Sequence, residues 1–86
     1  MPGYGVANSW FCYLLHCADD TLYCGITNDL DKRIAAHNAG EGAKYTRARV
    51  PVELVYSETH MDRSAASKRE MEIKALTRLA KLALIK

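Results

Sequence analysis

Four polar side chains recur at regular separations in the first half of the chain. Tyr13 and Tyr23 lie ten residues apart, Arg33 follows after ten more, and His37 follows after another four. A guanidinium matches phosphate oxygens, while tyrosine and histidine can hold or move a proton. Folding alone does not require this combination of polar side chains. Taken one at a time, such residues more often have no role in chemistry. A tyrosine on a strand is usually a packing residue, a histidine on an apolar face is usually a core residue, and an arginine on a helix usually faces solvent.

The two tyrosines belong to predicted neighbouring strands. Residues Trp10–His16 are almost continuously apolar, which is typical of a central strand buried on both faces. Residues Leu22–Thr27 resume the strand pattern after an Asp-rich turn, so the two segments are predicted to form an antiparallel hairpin.

Arg33 and His37 belong to a predicted helix. Asn28 or Asp29 is a suitable N-cap for a helix that begins at Leu30 and ends at about residue 38. His37 lies on its inward face and Arg33 lies beside that face, one turn earlier, so both side chains can reach one place.

The second half of the chain completes the predicted fold. Residues 41–50 suggest a loop, residues 52–57 a third strand, and residues after Asp62 or Ser64 a helix to about Leu76, with a last short helix beginning near Thr77. The order β-β-α-β-α-α predicts an α+β fold with a small three-stranded antiparallel sheet flanked by helices. Residues 1–9 are expected to form a flexible tail and residues 10–86 a single domain.

Composition narrows the class of protein. The 86 residues are 49% hydrophobic and 26% charged, which is typical of a single globular domain. No apolar run is long enough to span a membrane, and residues 1–9 have neither the basic nor the apolar region of a signal peptide, so we expect a cytoplasmic location. The three cysteines form no CxxC pair and are expected to be reduced and buried.

Charge is distributed unevenly along the chain. Residues 63–86 carry seven Lys or Arg against two Asp or Glu, although the whole chain has a net charge of only +2. A basic segment beside an acidic remainder is compatible with one-sided contact with a polyanion, and equally with a solvated helical face. The residues that we expect to contact nucleic acid are Lys44, Tyr45, Thr46, Arg47, Arg49, Lys68 and Arg69.

Glu70 is the remaining candidate for chemistry. It lies at the border of the apolar stripe of its predicted helix, where an unpaired carboxylate is costly. A salt bridge to Lys74 explains it without any function, whereas binding of Mg²⁺ or Mn²⁺ explains it together with Arg33 and His37.

The spacing of these residues resembles that of the GIY-YIG nuclease superfamily. Tyr13, in Cys12-Tyr13-Leu14, stands in the first motif, whose glycine is missing, and Tyr23-Cys24-Gly25 stands in the second. Residues 42–47 are similar to a segment of structure-specific members. The closest resemblance is to the small single-domain UPF0213 branch, over nearly the whole chain. An asparagine that follows the glutamate in some members has no counterpart in residues 76–86.

This resemblance implies a metal-dependent endonuclease that hydrolyses phosphodiester bonds in single-stranded or branched DNA, in repair, recombination or DNA processing. It also implies that Tyr13, Tyr23, Arg33, His37 and Glu70 form the catalytic site and that Glu70 binds one divalent metal, Mg²⁺ or Mn²⁺. Two alternatives remain open. One is a nucleic-acid-binding module with weak catalysis, and the other is a protein-interaction domain that uses the basic C-terminal helices.

Overall fold

The structure is a computed structural model that describes residues 9–86, so the predicted tail lies outside the described residues except for Ser9. The elements are β1 (Trp10–His16), β2 (Leu22–Thr27), α1 (Leu30–Asn38), α2 (Lys44–Arg47), β3 (Glu53–His60), α3 (Arg63–Lys74) and α4 (Arg78–Ile85). The predicted α+β class and the β-β-α-β-α-α order are confirmed. The predicted loop contains the short helix α2, and β3 extends three residues beyond its predicted end.

The sheet has the strand order β2-β1-β3, and both pairings are antiparallel. Because β1 is central, its side chains are buried on both faces, as the continuous apolar run predicts. Alternate residues of β1 supply two separate core clusters. Cys12 and Leu14 pack with Ile73 of α3, whereas Tyr13 and Leu15 belong to the cluster on the side of α1.

Helix α1 ends at a glycine that redirects the chain. Gly40 has a φ of +81°, and the backbone N–H groups of Gly40 and Glu41 donate to the carbonyl oxygens of His37 and Ala36. These two bonds form a Schellman motif, which closes a helix and reverses the chain direction. Consequently the segment after α1 returns beside His37 instead of running into solvent.

The side chain of Asn38 joins the end of α1 to the start of β3. Its amide nitrogen donates to the carbonyl oxygen of Val52 at 3.1 Å, and its oxygen accepts from the Val52 N–H at 2.7 Å. A pair of reciprocal bonds fixes both position and orientation, so α1 is held against the sheet from 14 residues away in sequence.

The predicted helix caps of the second half are present. Asp62 accepts a hydrogen bond from the N–H of Ala65 at 2.8 Å, and Thr77 accepts one from the N–H of Ala80 at 3.2 Å. The three cysteines are free and buried, as predicted. No helix in residues 9–86 is long and apolar enough to cross a membrane.

Candidate active site

Tyr13 and His37 meet on the α1 side of the sheet. Tyr13 lies in central strand β1 and only 1% of its surface is exposed, while His37 in the last turn of α1 is completely buried. The hydroxyl oxygen of Tyr13 lies 3.0 Å from His37 Nε2. His37 was predicted to lie on the inward face because it follows Leu30 and Ile34 at helical spacing, and on that face it contacts the first tyrosine.

The other ring nitrogen of His37 faces α2. Its Nδ1 lies 2.8 Å from Thr46 Oγ1, and the Thr46 side chain is completely buried. The prediction that Thr46 contacts nucleic acid is therefore wrong, because its hydroxyl points into the protein and bonds to His37. A buried threonine in a segment rich in basic residues is easily taken for part of the exposed surface.

Gly42 is a site residue that the sequence analysis missed. A Cβ at this position would lie 2.7 Å from His37 Cγ and 2.9 Å from its Cα, closer than side chains tolerate. Only glycine allows the returning chain to pass so close to the imidazole. The sequence signal that could have indicated this close approach is a second glycine two residues after the helix-ending Gly40.

Burial shifts the proton affinities of Tyr13 and His37 in opposite directions. Loss of solvation raises the pKa of Tyr13 to about 12, although the nearby Arg33 guanidinium opposes this rise. Loss of solvation and then the charge of Arg33 lower the pKa of His37 below its ordinary value near 6.5. At neutral pH the site therefore holds a protonated phenol next to a neutral imidazole.

Tyr23, Glu70 and Lys74 extend the site along β2 and α3. The Tyr23 ring centroid lies 6.5 Å from that of Tyr13 and 5.4 Å from that of His37. Burial raises the pKa of Tyr23, with Lys74 and Arg33 opposing the rise and Glu70 adding to it. The structure therefore brings Tyr13, Tyr23, Arg33 and His37 together. Glu70 is related to this group through the effect of its charge on Tyr23, and its part in a catalytic site stays a prediction.

Glu70 forms the ion pair that was one of its two predicted explanations. Its carboxylate lies 3.4 Å from Lys74 Nζ, and the glutamate side chain is only 19% exposed. Within residues 9–86 no group of three or more His, Cys, Asp or Glu side chains is arranged to hold a metal ion. Among these residues, a cation at Glu70 would have at most one further His, Cys, Asp or Glu ligand.

A groove runs along the start of α1 beside the site. It has a volume of about 240 Å³ and is lined by residues that include Lys32 and Arg33. Neither cation has a carboxylate partner within 4 Å among residues 9–86, although Asp29 also lines the groove. Lys32 is a second residue that the sequence analysis missed, because an exposed lysine beside a helix N-terminus has no distinctive pattern.

Helix α2 presents part of the predicted nucleic-acid surface. Lys44 and Arg47 are exposed, whereas the Tyr45 ring stacks on Tyr23 with 5.8 Å between centroids. Arg49 lies over the Tyr45 ring at 3.9 Å and also donates to Asp19 Oδ2 at 2.8 Å. Tyr45 and Arg49 therefore form one wall of the site, and their predicted contact with DNA stays a prediction.

The two residues of α3 that were predicted to contact nucleic acid, Lys68 and Arg69, differ in whether they are already paired with carboxylates. Lys68 is exposed and has no ion pair among the described residues. Arg69 donates to Glu58 Oε1 at 2.8 Å and to Glu72 Oε1 at 3.1 Å. Arg69 is therefore held by two carboxylates, and its predicted contact with DNA stays a prediction.

These features define an α+β domain with a tyrosine–histidine–arginine site between a β-hairpin and the helix that follows it. The family model described as "GIY-YIG catalytic domain" matches residues 9–83. The chain is 52% identical over 80 residues to a UPF0213 protein of Natronomonas pharaonis, covering 93% of this chain and 94% of the relative. It is 51% identical over 79 residues to a UPF0213 protein of Staphylococcus aureus, covering 92% and 96%. The chain therefore belongs to the GIY-YIG family, among its UPF0213 members.

Two solved structures are similar to this fold. The solution NMR structure of a UPF0213 protein from Bacillus halodurans has a TM-score of 0.57 and 40% identity, covering 90% of this chain and 82% of that one. The solution NMR structure of a protein from E. faecalis has a TM-score of 0.59 and 41% identity, covering 86% and 79%. The GIY-YIG domain is an endonuclease domain, which implies DNA binding, whereas the names of these relatives state no activity.

Proposed function

We propose that this protein is an endonuclease that hydrolyses phosphodiester bonds in single-stranded or branched DNA with the help of one divalent metal. The observation that carries the proposal is the 3.0 Å contact between the Tyr13 hydroxyl and His37 Nε2, made beside the unpaired cation Arg33. Hydrolysis of a phosphodiester needs proton transfer and stabilisation of developing negative charge, which a phenol beside an imidazole and a guanidinium can supply.

Arg33 supplies the electrostatic part of the reaction. Attack on phosphorus builds negative charge on the non-bridging oxygens, and a guanidinium aimed at them stabilises the transition state. Because Arg33 has no carboxylate partner within 4 Å among the described residues, its charge is available to the phosphate. Lys32 lines the same groove and is placed to hold a neighbouring phosphate.

Tyr13 and His37 supply the proton transfer. Tyr13, with a pKa of about 12, is protonated at neutral pH, so it can act as a base only if it gives up its own proton at the same time. As the Tyr13 oxygen takes a proton from the attacking water, its own proton passes to Nε2 of neutral His37. The water oxygen then bonds to phosphorus, and the bond from phosphorus to the 3′-oxygen breaks. The 3′-oxygen leaves with the electron pair of that bond and takes a proton from solvent water. The low pKa of His37 keeps the imidazole ready to accept this proton.

Glu70 is the residue that would hold the metal. One carboxylate, completed by substrate phosphate oxygens and water, fits the oxygen coordination of Mg²⁺ or Mn²⁺, and Lys74 must release Glu70 for this to occur. The metal would neutralise phosphate charge and stabilise the leaving oxygen. The charges of Glu70, Lys74 and Arg33 all act on the Tyr23 hydroxyl. We therefore propose that this hydroxyl hydrogen-bonds to substrate or water in the same site.

The expected substrate follows from what surrounds the site. Exposed Lys44 and Arg47 on α2, together with Lys68 on α3, are suited to backbone phosphates, which carry no sequence information. The domain has no element among residues 9–86 that would read bases in the major groove. We therefore propose selectivity for DNA shape or strandedness, in DNA repair, recombination or processing in the cytoplasm.

The test compares cleavage with binding. Wild-type protein is incubated with labelled single-stranded, duplex and flap DNA in the presence of Mg²⁺, Mn²⁺ or EDTA, beside Glu70→Ala. The matched control is Glu72→Ala, which removes an exposed carboxylate from the same helix. Metal-dependent cleavage that is lost in Glu70→Ala and kept in Glu72→Ala is the expected result. Salt-sensitive DNA binding without cleavage by the wild type would instead assign a binding module.

A further inference from the structure

Among residues 9–86, Thr46 is the one side chain that hydrogen-bonds to Nδ1 of His37, the proposed proton acceptor. Its Oγ1 lies 2.8 Å from His37 Nδ1 and donates to the carbonyl oxygen of Ala43 at 2.9 Å. Both side chains are completely buried, so water cannot substitute for either bond.

The number of protons on Thr46 decides which tautomer His37 adopts. A threonine hydroxyl has a single proton to donate and two lone pairs to accept with. Because that proton goes to the Ala43 carbonyl, the Thr46 oxygen must accept from Nδ1–H of His37. Neutral His37 then has an unprotonated Nε2, which accepts from the Tyr13 hydroxyl.

The other tautomer makes weaker bonds. With the proton on Nε2, Nδ1 would accept from Thr46 and from the Ala43 N–H, which is 3.4 Å away. The Thr46 hydroxyl would then leave the Ala43 carbonyl, and one bond of 2.9 Å would be exchanged for one at the limit of hydrogen bonding. The arrangement with Nδ1 protonated therefore has the better set of bonds.

We propose that Thr46 is a positioning residue that holds His37 in the Nδ1–H tautomer, so that Nε2 can take the proton of Tyr13. The inference rests on the proposed function, since it explains how the proton acceptor of that reaction is prepared. Thr46 touches neither substrate nor metal in this scheme and acts only through His37. Gly42 supports the same geometry by leaving room for the imidazole.

The tautomer is measured directly, without any need for activity. Long-range ¹H–¹⁵N correlation spectra of the histidine ring nitrogens identify which nitrogen of His37 carries the proton. The wild type is expected to show protonated Nδ1, and protonated Nε2 would overturn the proposal. Thr46→Val keeps the shape of the side chain but removes the hydroxyl, so the proton is expected to move to Nε2. An unchanged tautomer in that variant would also overturn the proposal.

Cleavage kinetics give the second readout. Thr46→Val is expected to lower kcat about ten- to a hundredfold with little change in KM, because it disturbs proton transfer and not DNA binding. Thr46→Ser, which restores the hydroxyl, is expected to recover most of the rate. Thr59→Val removes a threonine hydroxyl from an exposed position in β3 and serves as the control. Equal loss in the Val and Ser variants would assign Thr46 to packing alone. Absence of cleavage in the wild type would refute the proposed function but leave the tautomer measurement decisive for Thr46.

Discussion

Gly25 and Tyr13 face each other in register across β2 and β1, and the space above Gly25 is filled by the tyrosine ring. A Cβ on Gly25 would lie 2.6 Å from the Tyr13 hydroxyl oxygen and 2.8 Å from Cζ. The glycine of the second motif is therefore required by the tyrosine of the first. The phenol lies across the neighbouring strand, and this brings its hydroxyl to His37.

Gly25→Ala is expected to displace the Tyr13 ring. The added methyl overlaps a buried and well-packed side chain, so we expect a loss of about 1–3 kcal/mol in the free energy of unfolding. Cleavage should fall by about a hundredfold, since small misplacements of a reacting group have large effects on rate. Denaturant unfolding and steady-state kinetics measure the two effects.

Gly40→Ala is the matched control for this substitution. Gly40 has a positive φ, and a Cβ at this position would meet no atom within 4 Å. Alanine there therefore suffers backbone strain of about 1 kcal/mol without a clash. Its stability should fall while its cleavage rate stays near that of the wild type. Similar loss of cleavage in both variants would show that general destabilisation, and not Tyr13, is responsible.

The pKa of His37 should depend on Arg33. Burial and then the Arg33 charge lower the pKa of His37, so an NMR titration of the wild type should place its midpoint below pH 6.5. Arg33→Gln removes the charge but not the burial, and the midpoint should rise part of the way back. In the wild type, kcat/KM should fall only as the pH drops below 6.5, because cleavage needs neutral His37.

The lowered pKa of His37 also makes the stability of the fold depend on pH. A folded-state pKa below the unfolded one means that His37 favours the folded state fully above pH 6.5 and that this contribution is lost as the pH falls through the lower folded value. A His37 midpoint at or above pH 6.5 would contradict both the burial argument and the proposed role of Arg33.

Glu58 should be important for stability and not for catalysis. Partial burial opposes its ionisation, but bonds from Tyr56, His60 and Arg69 lower the pKa of its carboxyl group overall. Glu58→Gln leaves Arg69 with a weaker partner and should cost about 1–3 kcal/mol at neutral pH. The loss of stability caused by Glu58→Gln should have its full value above pH 4.5. It should become smaller as the pH falls through the lowered pKa of Glu58 in the folded state.

Glu72→Gln provides the comparison for Glu58. Glu72 makes one 3.1 Å bond to Arg69 and its side chain is 58% exposed, so its removal should cost less than about 1 kcal/mol. Urea unfolding of both variants at neutral pH and at a pH of about 3.5 measures the difference. Equal costs for the two substitutions would contradict the assignment of Arg69 to Glu58.

DNA affinity should depend on the unpaired cations. We expect weaker DNA binding from each of three substitutions, Lys44→Gln, Arg47→Gln and Lys32→Gln. Each should also reduce the slope of log K against log salt concentration by about 0.7–0.9, which is the value for one phosphate contact. Fluorescence anisotropy with labelled DNA measures this slope. Lys86→Gln removes the same charge at the end of the chain and should leave the slope unchanged. A uniform effect of all four variants would indicate net charge instead of specific contacts.

Much of the fold could be predicted because its determinants are local. The continuous apolar run of β1, the Asp29 cap of α1 and the Thr77 cap of α4 each depend on residues within a few positions of one another. The spacing of Arg33 and His37 likewise follows from the helical repeat. The resemblance to a family then related these positions to Tyr13, Tyr23 and Glu70.

What the sequence by itself determined is therefore the set of elements and the identity of the residues on their inward faces. Only the tertiary structure decided that Thr46 lies behind His37, that Gly42 makes room for it, and that Arg69 is bound by Glu58. The physical reason is that a buried or partly buried polar group must find partners from whatever element packs against it. Those partners lie 9 residues away for Thr46 and 11 for Glu58, beyond the range of any helix or strand pattern.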